Sequence, residues 1–89
     1  SLDAVSLIQD YRSRAEYTRD SLVERAQRQL AAGKPAEEVV CQLAHLLTNK
    51  LLHSPSVRLR RAGREGRNEL LEAANELFQL KQAESASGQ

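Results

Sequence analysis

A single cysteine, Cys41, excludes an internal disulfide, and with it both a secreted disulfide scaffold and a multi-cysteine zinc module. Tryptophan and methionine are absent, and the aromatics are only two Tyr and one Phe. Each aromatic would hide ~150–250 Å², so a core left to Leu, Ala and Val is thin. Neither sign of charge dominates. Thirteen basic against twelve acidic residues leave +1, too little for a global field that gathers nucleic acid or an anionic membrane. No apolar run approaches the ~18–20 residues that span a bilayer. The start of the chain lacks the charged-then-apolar pattern of a signal peptide. These absences point to a soluble, cytoplasmic domain.

At 89 residues there is room for one core. A chain of this size hides only ~60–65% of its unfolded surface even when compact, so help from a second chain is expected before any motif is read.

Four Gly and two Pro punctuate the sequence at three places. At Gly33-Lys34-Pro35, glycine suits the position just past a helix end and proline the first position of the next. Glu37 and Glu38 then meet the positive end of a helix dipole. At His53-Ser54-Pro55 the same logic places a cap at Ser54 and a new helix at Pro55. Gly63 to Gly66 reads as a looser joint. Between these breaks the period is helical. Ala4, Ile8, Tyr11, Ala15, Thr18 and Leu22 step by four and three, continuing at Ala26 and Leu30. Arg12/Glu16, Asp10/Arg14 and Glu24/Arg28 sit at i,i+4 on the other face, each pair worth ~0.3–0.5 kcal/mol. A helix of roughly thirty residues extends ~45 Å, longer than a compact monomer of this size can cover, and therefore calls for a partner.

The second helix carries Val39, Val40, Leu43, Leu46, Leu47 and Leu51, widened by Ala44 and Leu52, which suggests contact on two sides. The last places Leu70, Leu71, Ala74, Leu77 and Phe78 on one side and Glu69, Glu72 and Glu76 on the other. Strand signals and internal repeats are lacking. The predicted architecture is all-α: a bundle of four helices over about residues 2–32, 35–53, 55–64 and 67–81, pairing into an intersubunit helical dimer. Residues 1–81 form the domain, and 82–89, with no apolar anchor, a disordered tail.

Chemistry has few candidates. Cys41 and His45 lie four apart with Glu37 a turn before, but a Cys–His pair supplies two ligands where zinc takes three or four. A helical cysteine among Val and Leu is expected to be a small buried hydrophobe, and no metal is predicted. Gly-x-Gly-x-x-Gly, the phosphate-binding Gly-x-x-x-x-Gly-Lys-Ser/Thr loop, His-Glu-x-x-His and any placeable Ser-His-Asp set are missing, so neither a catalytic nor a cofactor-binding residue is assigned. The stretch Arg58 to Arg67 holds five arginines against one glutamate. Arg58, Arg60, Arg61, Arg64 and Arg67 suit tRNA or other phosphates, although no aromatics interleave to stack bases. The alternative is a solvated joint whose arginines pair with Glu69, Glu72 and Glu76. Lys50, placed near the end of the second helix, complements its dipole.

The run Leu46-Leu47-Thr48-Asn49-Lys50-Leu51-Leu52-His53-Ser54-Pro55-Ser56-Val57-Arg58-Leu59-Arg60 resembles the carboxy-terminal dimerisation domain of glutamyl-tRNA reductases. In that family a Leu-Thr-Asn-Lys-Leu-Leu-His-x-Pro-Ser/Thr stretch precedes a Leu-Arg pair. The likeness extends more weakly to Ile8–Glu16, Leu22–Leu30 and Gly66–Leu80. It implies a parent enzyme that reduces the glutamyl group of glutamyl-tRNA(Glu) to glutamate-1-semialdehyde with NADPH, in tetrapyrrole (porphyrin) synthesis. It also implies V-shaped homodimers joined by this domain, with the catalytic cysteine and the NADPH site in other domains. Cys41 is then not the nucleophile, and this chain is non-catalytic. Regulatory proteins dock on the domain in some members.

Periodicity and resemblance agree on a helical dimer. In a two-fold arrangement the pairing surface is expected to centre on Leu43, Leu47 and Leu51, with Val40, and to run along Ile8, Tyr11, Ala15 and Leu22.

Overall fold

The computed structural model describes residues 2–80, so the expected tail at 82–89 lies outside the described residues. Among them there are three helices and no strand: α1 (Ala4–Ala31), α2 (Ala36–Arg64) and α3 (Asn68–Phe78). The chain divides into two compact units, Ser1–His53 and Ser54–Gln89, and α2 runs from one into the other.

Helix α1 starts at Asp3, whose Oδ1 accepts from the Ser6 N–H at 2.8 Å. That bond, with a second from the Ser6 hydroxyl, lowers the Asp3 pKa. The helix ends as Gly33-Lys34-Pro35 predicts. Gly33 takes φ +92°, Lys34 N–H returns to the Gln29 carbonyl at 3.1 Å, and Gly33 N–H to Leu30 at 3.0 Å. This is the paired closure of a Schellman motif, which needs a residue in the left-handed region. Helix α2 ends the same way. Gly66 sits at φ +70°, Arg67 N–H reaches the Ala62 carbonyl and Gly66 N–H the Gly63 carbonyl. The joint at 63–66 is therefore a defined stop. Helix α3 closes with Gln79 at φ 54° and is shorter than the predicted 67–81.

The predicted break at His53-Ser54-Pro55 is absent, and this reduces four helices to three. Pro55 lies inside α2, Ser54 caps nothing, and Lys50 stands in mid-helix, where the dipole role falls instead to Arg61 and Arg64 in the last turn. Pro55 has no N–H to give the Leu51 carbonyl, a costly interior position. What carries the helix through it is a row of covered side chains at steps of four. Val39, Leu43, Leu47, Leu51, Pro55 and Leu59 are all buried or half-buried. The proline ring occupies a covered place in that row, whereas a sequence reading weighs only its missing donor.

The first unit is a pair of helices, α1 and the opening half of α2. Its buried residues are Leu22, Ala26 and Val39, the last only 3% exposed. Gln29 donates to Gln42 Oε1 at 3.1 Å across the pair. Ala15, Thr18 and Val23 of α1 and Leu43, Leu46 and Leu47 of α2 are half-buried. In the second unit Ala62 is 2% exposed, with Leu59, Leu70, Leu71 and Ala74 half-buried. No large side chain among the described residues is fully enclosed.

Glycine substitutions test these assignments. Gly63 lies within α2, and nothing stands within 4 Å of the place an added Cβ would take. Gly63→Ala is expected to raise stability by about 1 kcal/mol, and Gly33→Ala to lower it by about 1–2 kcal/mol because of its positive φ. Thermal unfolding followed by circular dichroism reads both, and a destabilised Gly63→Ala would mean that α2 ends before residue 63.

Candidate dimer interface

The apolar face of α1 is covered along only half its length. From Ala15 to Ala26 the positions of the stripe are half-buried or buried, whereas Leu30 beyond them is exposed. From Ala4 to Arg14 every residue is exposed. Val5, Leu7, Ile8 and Tyr11 are among the exposed large hydrophobics, with Tyr11 at 63%. Helix α1, at 28 residues, extends ~42 Å, and the part of α2 that belongs to the first unit extends ~27 Å.

Where the cover thins, a groove opens between the two helices. It measures about 360 Å³ and is lined by Ile8, Tyr11, Arg12, Ala15, Glu16, Arg19, Leu47 and Leu51. Five of the eight residues expected to pair subunits are in that lining: Ile8, Tyr11, Ala15, Leu47 and Leu51. Leu43 is half-buried and Val40 61% exposed, both on the same half of α2. Leu22 departs from expectation, because at 9% exposure the first unit itself encloses it. The 3.6-residue period put Leu22 on the right face but could not say where along that face α2 stops covering it.

The charged groups of the lining are tied to neighbours on their own helix. Arg12 Nη1 stands 3.9 Å from Glu16 Oε2, and Arg19 Nε donates to Asp20 Oδ1 at 2.9 Å. Hydrogen bonding to Asp20 raises the pKa of Arg19, which stays cationic. Of the surface pairs predicted on α1, Arg12/Glu16 forms. Among the described residues Asp10/Arg14 and Glu24/Arg28 do not come within ion-pair distance, because long exposed side chains gain little from being held together.

The remaining candidates fall elsewhere. Cys41 is exposed, not buried as expected, because it lies off the face of α2 that meets α1. His45 hydrogen-bonds Asn49 at 3.1 Å, and among the described residues no group of three or more His, Cys, Asp or Glu is placed to hold a metal. Arg58, Arg60, Arg61, Arg64 and Arg67 are all exposed. Arg61 pairs with Glu65 at 3.0 Å. The alternative pairing with Glu69, Glu72 and Glu76 is not formed among the described residues, since i,i+4 geometry within α2 offers Arg61 a nearer carboxylate. No helix among the described residues is long and apolar enough to cross a membrane.

The described residues, three helices with an uncovered apolar groove between the first two, fit the class of helical pairing modules. Comparison with known proteins specifies which. The chain belongs to the family described as the dimerisation domain of glutamyl-tRNA(Glu) reductase, which matches residues 1–80. It is 52% identical over 79 residues to a glutamyl-tRNA reductase of Stutzerimonas stutzeri, a match covering 89% of this chain and 19% of the relative. A Pseudomonas aeruginosa glutamyl-tRNA reductase is 51% identical over 79 residues, with the same coverage. One from Pseudomonas fluorescens is 48% identical over 84 residues, 94% of this chain and 20% of the relative. The chain thus spans about a fifth of the length of these relatives. No solved structure matches it.

Two leucines separate core from pairing face. Leu22→Ala should lower the unfolding free energy by about 2–3 kcal/mol without changing the stoichiometry of the folded protein. Leu51→Ala should act chiefly on self-association. Chemical denaturation at several protein concentrations distinguishes them, and equal effects of both variants on association would reject the division.

Proposed function

We propose that this chain joins two subunits of a glutamyl-tRNA reductase through the groove face of its first unit. The observation that carries this reading is the uncovered lining of Ile8, Tyr11, Ala15, Leu47 and Leu51 in a member of a dimerisation-domain family. Burying such a face against a second copy removes apolar surface from water at ~25 cal/mol per Å², the contribution the thin internal core lacks. With Val40 and Leu43 adjoining, the face is isologous: each residue meets its partner's equivalent surface about a two-fold axis.

The parent enzyme, in this reading, is a cytoplasmic NADPH-dependent oxidoreductase that converts glutamyl-tRNA to glutamate-1-semialdehyde on the way to tetrapyrroles. Its chemistry belongs to other parts of the protein. Nothing here fits a dinucleotide, because the glycines at 33, 63, 66 and 88 make no Gly-x-Gly-x-x-Gly and no strand precedes them among the described residues. The contribution of this chain is to hold the two catalytic arms in one molecule.

Sedimentation equilibrium tests the pairing. The wild-type chain should weigh twice 9.9 kDa, with little dependence on salt. Leu47→Asp should weigh 9.9 kDa, since pairing would bury an unmatched charge at a cost of several kcal/mol. A dimer unchanged by Leu47→Asp would remove the groove from the interface.

A second role rests on the arginines in and just beyond the second half of α2. Arg58, Arg60, Arg64 and Arg67 are exposed with no carboxylate at ion-pair distance among the described residues, which leaves them available to tRNA phosphates. Binding of tRNA(Glu) by the dimer should then weaken with salt, and the log–log slope should fall by about one for each of these arginines changed to Gln. A slope unaffected by Arg64→Gln would leave that arginine as surface charge only.

A further inference from the structure

Every residue from Ala4 to Arg14 is exposed, and this stretch of α1 is rich in large hydrophobics. Val5, Leu7, Ile8 and Tyr11 stand at 50–63% exposure. Ile8 and Tyr11 are also part of the groove lining, so the stripe that needs cover and the groove that needs an occupant are one surface of the first unit. Its charges do not select that occupant. Arg12 is held by Glu16 and Arg19 by Asp20, each on the same helix. Length and apolar pattern select it instead. On α1 the lining runs from Ile8 to Arg19, ~16 Å at helical rise.

The inward positions of the open stretch are Ala4, Ile8, Tyr11 and Ala15, at steps of four, three and four. The order small, large, large, small reads the same from either end, and it too spans ~16 Å. Resting on the pairing proposed above, we infer that each groove receives α1 of the second copy, laid antiparallel. Ala4 then meets the partner's Ala15 and Ile8 the partner's Tyr11, about a two-fold axis between Gln9 and Asp10. The large pair sets the helix separation. The room left over the two alanines is filled by Leu47 and Leu51, which line the groove beside Ala15. Each α1 thus lies between α1 and α2 of the other copy, and one contact covers both the stripe and the groove.

Other surfaces of a second copy fit less well. The exposed end of α3, Leu77 to Leu80, is four residues, ~6 Å at helical rise, and would leave most of the lining open. Val40 and Leu52 of α2 are twelve residues apart and point ~120° from one another round the helix, so they form no stripe. Parallel pairing of α1 would set two helix N-termini, the positive ends of two dipoles, side by side.

Disulfide trapping in a Cys41→Ser background tests the register. A chain carrying Ala4→Cys, mixed with one carrying Ala15→Cys and oxidised mildly, should give a covalent heterodimer. Either chain alone should stay unlinked, because like positions lie ~16 Å apart along the antiparallel pair and a disulfide needs Cα atoms within ~7 Å. Ile8→Glu should weaken the dimer at least tenfold in sedimentation equilibrium, with helix content unchanged because Ile8 is exposed in the single copy. Linkage of Ala4→Cys to itself would mean parallel helices and overturn the inference. So would linkage of Tyr11→Cys to Leu77→Cys in place of the Ala4→Cys and Ala15→Cys pair, which would seat α3 in the groove. A wild-type dimer that Leu47→Asp disperses, but in which Ala4→Cys and Ala15→Cys never link, refutes the α1 register while the groove keeps its pairing role. A wild-type chain that remains monomeric at all concentrations overturns both readings.

Discussion

The constraint on which the rest depends is a shortage of apolar surface that one copy can hide from itself. Two long helices in contact can shield only the stripe between them, and here the stripe is furnished with small and medium side chains. Leu22, Ala26 and Val39 close one unit and Ala62 the other, and no large side chain among the described residues is fully enclosed. Conformational entropy, ~1–2 kcal/mol for each ordered residue, opposes folding throughout, so a core this small leaves little in reserve. In the proposed dimer a second copy supplies the missing burial. The exposed first half of α1, the groove beneath it and the bare end of α3 are three consequences of that shortage.

Local backbone chemistry, by contrast, is complete. An aspartate opens α1, two acidic residues open α2, and all three helices close by returning N–H groups to carbonyls three and five residues back. Glycine supplies the left-handed residue in two of the closures and Gln79 in the third. The helices are thus well bounded, while their packing is unfinished. That combination suits a pairing module, whose elements must be formed well enough to present one face to a partner.

The charge distribution follows the same division. Charges beside the groove are tied to carboxylates on their own helix, so neither sign overwhelms its apolar floor. The unbalanced arginines lie on the second half of α2 and just beyond its end, and none of them lines that groove. A net charge of +1 therefore conceals a neutralised groove and a cationic strip on one chain.

The sequence by itself determined the helical class, the helix end at Gly33, the family through the Leu46–Arg60 run, and five of the residues that line the groove. These are legible because helix capping and the 3.6-residue period are local properties. Only the tertiary structure decided that α2 passes through Pro55, that Leu22 is internal while Ile8 and Tyr11 stay open, and that Cys41 faces solvent. Each of those depends on where a second helix starts and stops covering the first. Periodicity identifies the face of a helix, but the extent of that face hidden from water is set by the length and path of its neighbour.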